Sequence, residues 1–140
     1  MAETITVETV VKAPVEKVWK CWTQAKHITQ WYFASDVWEA PAAGNDLHVG
    51  GKFVIKMSAK DKSFGFDLEG TYTAIKNHEK IEYDLIGEDK RHVITTFEKT
   101  PEGVKVTQTF DMEHQNSKEK QHDGWQAILE NFKKHTESEK

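Results

Sequence analysis

Residues 4–13, TITVETVVKA, place Ile5, Val7, Thr9 and Val11 on one side and Thr6, Glu8, Val10 and Lys12 on the other. A period of two predicts a strand. The pattern changes at Pro14, which suits the first turn of a helix because its missing N–H would have no partner there. Val15, Val18, Trp19 and Trp22 then recur at helical spacing, and AKHITQWYF (25–33) carries Ile28, Trp31 and Tyr32 as a second short helical segment. Residues 33–45, FASDVWEAPAAGN, hold no period, and their Ala, Pro, Gly and Asn predict a loop. Loops of that length in small domains tend to be functional, so this one is a candidate gate.

From residue 46 to about 114 the chain reads almost entirely as strand. DLHVGGKFVIKMSAK breaks at Gly50-Gly51, then aligns Phe53, Ile55, Met57 and Ala59. After a DKS turn, FGFDLEGTYTAI aligns Phe64, Phe66, Leu68 and Tyr72, with Gly70 as a candidate bend or bulge. Later strands align Ile81, Tyr83 and Leu85, then Val93, Thr95 and Phe97, then Val104, Val106, Gln108 and Phe110, separated by NHE, GEDK and TPEG turns. Lys52, Lys56, Asp67, Glu69, Glu82, Asp84, Lys105 and Asp111 take the opposite face. Short connections favour antiparallel pairing, and an antiparallel sheet needs only one covered face. A final helix begins near Asn116-Ser117, where Asn116 and Glu119 resemble a capping box. Its apolar stripe is Trp125, Ile128, Leu129 and Phe132, which docks it across the sheet. The order is strand, two short helices, six strands, long helix, and this segregation predicts an α+β fold.

The chain has 140 residues, consistent with one domain spanning 1–140. A net charge of −4 with both signs interspersed is a poor footprint for nucleic acid. No apolar run is long enough for membrane insertion, and the acidic, alternating start is unlike a signal peptide. Cys21 is the only cysteine, which excludes an intrachain disulfide and fits a cytoplasmic setting. Amid helical apolar residues it reads as a buried filler.

Three stretches carry a family likeness: the strand–Pro–VEKVWKCWT–ITQWY opening, D-x-x-x-G-G-x-F at 46–53, and GW-x-x-x-L at 124–129. With them the chain resembles the START-like superfamily, also called SRPBCC, whose helix-grip fold curls an antiparallel sheet around a long C-terminal helix. Within it the chain is similar to the branch related to the C-terminal domain of the activator of heat-shock protein 90 ATPase. The resemblance implies a cavity between sheet and helix. On that picture Gly124, which costs about 1 kcal/mol relative to alanine inside a helix, marks a close approach of the helix to its neighbours.

Inward positions supply candidate cavity residues: Met57, Phe66, Leu68, Tyr83, Thr95, Gln108, Trp125 and Leu129, with Trp31 and Trp38 from the helical pair and loop. His122, three residues before Trp125, is a candidate for the cavity mouth. Thr95, Gln108 and the tyrosines need polar partners on an apolar face, either a ligand, one another or buried water. None of the seven histidines forms a metal-ligand spacing, and His78 and His135 read as solvated. Nucleophile elbow, P-loop and dinucleotide signatures are absent, and the outward pairs Asp67/Glu69 and Glu82/Asp84 read as solvated faces. The preferred reading is therefore a non-catalytic domain, with no cofactor or metal, that binds a small apolar or amphipathic molecule. Its rivals are a chaperone-interacting protein and an enzyme of the superfamily.

Overall fold

The computed structural model describes residues 4–33, 38–63, 65–86, 91–112 and 117–139. Seven strands form one antiparallel sheet: β1 (Thr4–Val11), β2 (Trp38–Asn45), β3 (Lys52–Ala59), β4 (Gly65–Lys76), β5 (Lys80–Leu85), β6 (His92–Thr100) and β7 (Gly103–Asp111). Their order across the sheet is β1-β7-β6-β5-β4-β3-β2. Helices α1 (Val15–Thr23) and α2 (Ala25–Trp31) follow β1, and α3 (Lys118–Ser138) ends the chain. Consecutive strands from β2 to β7 are neighbours, while β1 joins the far edge by pairing with β7 from Thr4↔Asp111 to Val11↔Val104. The sheet is curled into a half-barrel, giving the α+β helix-grip architecture.

Alternation sets which side faces in. Along β7, Val104, Val106, Gln108 and Phe110 are buried, and the residues between them are only partly so. Phe53, Ile55, Met57, Tyr72, Ile81, Tyr83, Leu85, Val93, Thr95 and Phe97 continue that inner face. Leu129 and Phe132 of α3 are fully buried against it, and Trp125 stacks on Phe110 with ring centroids 3.8 Å apart. Phe132 also meets Trp22 of α1 and Trp31 of α2 edge-on, at 4.7 and 4.8 Å. Aromatic pairs of this kind add roughly 0.5–1.5 kcal/mol each beyond area burial, so the three helices share one aromatic joint.

Four local expectations change. Residues 38–45 are an edge strand rather than loop, with a register shift between Glu39 and Ala42 around Pro41. Proline lacks a ladder donor and is tolerated at edges and bulges, while small residues leave no alternation to read. Residues 46–51 form the turn into β3, held by Asp46 N–H to Lys52 O at 3.0 Å and Gly51 N–H to His48 O at 2.8 Å. Gly70 sits in regular register opposite Phe53; the β4–β5 register shift lies between Tyr72 and Ala74. A Cβ on Gly70 would fall within 3.0 Å of the Phe53 ring, so the glycine makes room for that ring. Finally, a Cβ on Gly124 meets nothing within 4 Å, so no close approach explains that glycine. The α3 cap is Ser117, whose Oγ accepts from Lys120 N–H at 3.1 Å; Asn116, Phe64 and His114 lie outside the described residues. Among the described residues, no helix is long and apolar enough to cross a membrane.

Candidate functional site

Between α1–α2 and the β3–β5 part of the sheet lies a void of about 30 Å³. Trp22, Ile28, Trp31, Tyr32, Phe53, Ile55, Tyr72, Ile81 and Tyr83 line it. The alternation of three adjacent strands points Phe53, Ile55, Tyr72, Ile81 and Tyr83 at the same space, and α2 with its C-cap closes it with Ile28, Trp31 and Tyr32. The walls are braced. Phe53 meets Tyr83 edge-on at 4.8 Å and Tyr72 at 5.5 Å. Trp22 and Trp31 are 4.9 Å apart, and Trp31 Nε1–H donates to Cys21 O at 3.0 Å. A water needs only some 10–15 Å³ of such space, whereas drug-sized ligand pockets run to ~300 Å³ or more. The void as it stands has room for one or two waters.

Its polar groups are three phenols. Tyr72 donates to Asn45 Oδ1 at 2.5 Å, and Asn45 Nδ2 donates to Thr23 O, which links the wall to the end of α1. The hydroxyls of Tyr32 and Tyr83 make no hydrogen bond among the described residues. Tyr32 keeps part of its surface in solvent, yet burial pushes its pKa up to about 12. Burial likewise raises Tyr72 and Tyr83. All three are therefore neutral donors at physiological pH. Arg91, the single arginine of the chain, lies near enough to Tyr32 and Tyr83 for its charge to act against that rise.

Of the residues anticipated from alternation, Trp31 and Tyr83 line this void. Thr95 and Gln108 are buried cross-strand partners, and Gln108 Nε2–H donates to Thr95 Oγ1 at 3.2 Å, so they satisfy each other. Leu129 is core, and Trp125 lies on Phe110. Met57, Leu68, Phe66 and Trp38 lie toward the other end of β2–β4. There Phe66 is 45% exposed instead of inside, and Trp38 meets its ring at 6.0 Å. His122 borders a surface groove with Thr4, Ile5, Thr6, Lys118 and Glu119, not the mouth of the void. Tyr72, aligned with the inner face by its alternation, and Tyr32 were not among the cavity candidates, because periodicity identifies a face without saying which part of it meets empty space.

Two histidines expected in solvent are packed. His78 lies edge-on to Trp19 at 5.6 Å. His135 of α3 is half-buried, with Nε2 3.0 Å from Nδ1 of buried His27. Cys21 joins them, and the three offer ligand atoms within 4.8 Å of one another; this is the cluster able to hold a metal among the described residues. On the outer face, His92 bridges Asp84 (2.6 Å) and Glu82 (2.9 Å), and these hydrogen bonds raise its pKa.

Comparison with known proteins agrees with this architecture. A solution structure from Cytophaga hutchinsonii is 43% identical, covers 97% of this chain and 92% of its own, and superposes with a TM-score of 0.79. An AHSA1-like protein from Aeromonas hydrophila is 36% identical, with 97% and 93% coverage and a TM-score of 0.90. A crystal structure from Chromobacterium violaceum, at 19% identity and a TM-score of 0.87 over 98% and 99% of the chains, shares the fold. No curated protein matches. The family pattern described as activator of Hsp90 ATPase homolog 1-like protein matches residues 12–137, and the chain belongs to that family, within the START-like superfamily.

Proposed function

We propose that this protein binds a small amphipathic molecule in the space between α2 and strands β3–β5, with the apolar part among Trp22, Ile28, Ile55 and Ile81 and an acceptor or anionic group on Tyr32 and Tyr83. The observation that carries this reading is the convergence of these phenols on a mostly apolar space, near the chain's one guanidinium. A ligand carboxylate would accept hydrogen bonds from these phenols, and hydrogen bonds to a charged group contribute about 1.5–3 kcal/mol. Binding is hydrophobic in strength and polar in orientation, as small-molecule sites usually are.

Room for the ligand comes from movement of α2. That helix has seven residues, and no side chain caps its N-terminus, so it is a weak element by its own hydrogen bonds. With its C-cap Tyr32 it contributes three of the nine lining residues, and its displacement opens the space toward β2. Local opening of a short terminal or linking segment is an ordinary low-energy motion of a folded domain.

The reading describes a carrier or sensor and not a catalyst: the phenols are held neutral, and no histidine or carboxylate among the described residues lines the void. Thermal denaturation in the presence of aromatic and medium-chain carboxylic acids, each paired with its neutral alcohol, tests it. At saturating acid the expected result is a rise in Tm that exceeds the alcohol's and shrinks in Tyr83→Phe. Equal shifts for acid and alcohol in both proteins would refute the assigned role of the phenols, and no shift with any ligand would refute binding.

A further inference from the structure

We propose that Cys21, His27 and His135 form a binding site for a thiophilic metal ion of the zinc class, which clamps the end of α3 to α1 and α2. The three residues come from three different helices, and their ligand atoms already lie within 4.8 Å of one another. In a tetrahedral zinc site with metal–nitrogen bonds of about 2.0–2.1 Å, two imidazole nitrogens stand roughly 3.3 Å apart. His27 Nδ1 and His135 Nε2 are at 3.0 Å, so a few tenths of an ångström convert their hydrogen bond into an edge of the coordination polyhedron. One thiolate with two imidazoles is a donor set that selects zinc or cuprous ions over calcium or magnesium.

A second observation supports the site. Thr136 Oγ1 is fully buried beside the Cys21 sulfur, near enough for a weak thiol–hydroxyl contact, but without a hydrogen-bond partner of proper geometry among the described residues. Once the thiol becomes a metal-bound thiolate, that hydroxyl has an anionic sulfur to donate to. On the other side, Cys21 and His27 border an open cleft of about 270 Å³ with Glu16, Lys17, Lys20 and Glu139. Water from that cleft, or the Glu139 carboxylate that borders it, would supply a fourth ligand. On binding, the S–H bond is replaced by a sulfur–metal bond and one proton leaves to solvent. Both rings stay neutral, but the one that donates in the His27–His135 hydrogen bond must shift its proton to its other nitrogen, so that each ligates through a bare nitrogen.

The surrounding contacts explain what the ion would do. Lys17 Nζ donates to Glu139 O, and Lys12 N–H donates to Glu137 Oε2 at 2.9 Å, so the end of α3 is already tied to β1–α1 by polar contacts. A metal would make that attachment much tighter. The test is to strip the full chain with chelator, then titrate it with zinc alone and, separately, cobalt(II) alone. The expected result is one ion per chain, a thiolate-to-cobalt charge-transfer band, and tetrahedral cobalt absorption. Cys21→Ser abolishes the charge-transfer band. His135→Gln, at a half-buried position near the helix end that leaves the fold intact by circular dichroism, weakens zinc about a hundredfold or more. Absence of the thiolate band in the parent protein, or unchanged zinc affinity in folded His135→Gln, overturns the site.

Discussion

The same substitution, glycine to alanine, should have opposite effects at two positions of this protein. At Gly124 the added methyl meets no atom within 4 Å, so it adds neither clash nor packing. What remains is the helix-propensity difference, and Gly124→Ala should stabilise the protein by about 1 kcal/mol. For a chain of 140 residues that corresponds to a Tm increase of about 3 °C. At Gly70 the methyl would come within 3.0 Å of the Phe53 ring and 3.3 Å of Asp84 O. The ring cannot simply swing aside, because Tyr83 and Tyr72 brace it and it is only 5% exposed. Overpacking of this kind costs ~1–3 kcal/mol. Urea denaturation at equilibrium measures both, with unchanged m-values as the check that only stability moved. Destabilisation by Gly124→Ala beyond about 0.5 kcal/mol would show that the α3 face at this point is in contact after all. A neutral Gly70→Ala would show that the Phe53 wall of the void is soft.

Other predictions follow from the same geometry. Phe132→Ala removes a fully buried ring from the Trp22–Trp31 joint and should cost about 3–5 kcal/mol, measured by denaturation. Thr95→Val leaves Gln108 Nε2 without its partner and should cost ~1–3 kcal/mol, with Thr95→Ser closer to neutral. His92, held above its ordinary pKa by Asp84 and Glu82, contributes stability that is present in full below pH 6.5 and disappears as pH rises through its folded value. Its side chain is 36% exposed, so solvent screening keeps the effect small. An NMR titration of His92 with a midpoint at or below 6.5 would contradict the bridge. Adding the protein to Hsp90 should leave the chaperone's ATPase rate unchanged, and a stimulated rate would favour an interaction role.

Strands with one buried face were readable from residue order. In β7 the inward set Val104, Val106, Gln108 and Phe110 is the set found buried, and the polar residues between them face out. Edge strand β2 was not readable, because Ala40, Ala42, Ala43 and Gly44 carry no contrast between faces and Pro41 suggests a break. The site was only partly readable for a related reason. Alternation places Leu68, Thr95 and Tyr83 on the same inner surface, but curvature decides that Tyr83 meets the void while Thr95 meets Gln108. Tyr32 enters through the way α2 folds back on the sheet, a tertiary fact with no period of its own. Cys21, His27 and His135 are six and 108 residues apart, so no local spacing rule could join them.

The central claim, an amphipathic ligand among the aromatic walls under α2, is tested most directly by isoleucine δ-methyl NMR during titration with decanoate. Ile28, Ile55 and Ile81 line the void, while Ile5 on β1 and Ile94 on β6 are outside its lining and serve as internal controls. The account predicts saturable shifts confined to the first three methyls and weakened in Tyr83→Phe. Shifts spread evenly over all of them, or none at saturating decanoate, would contradict it.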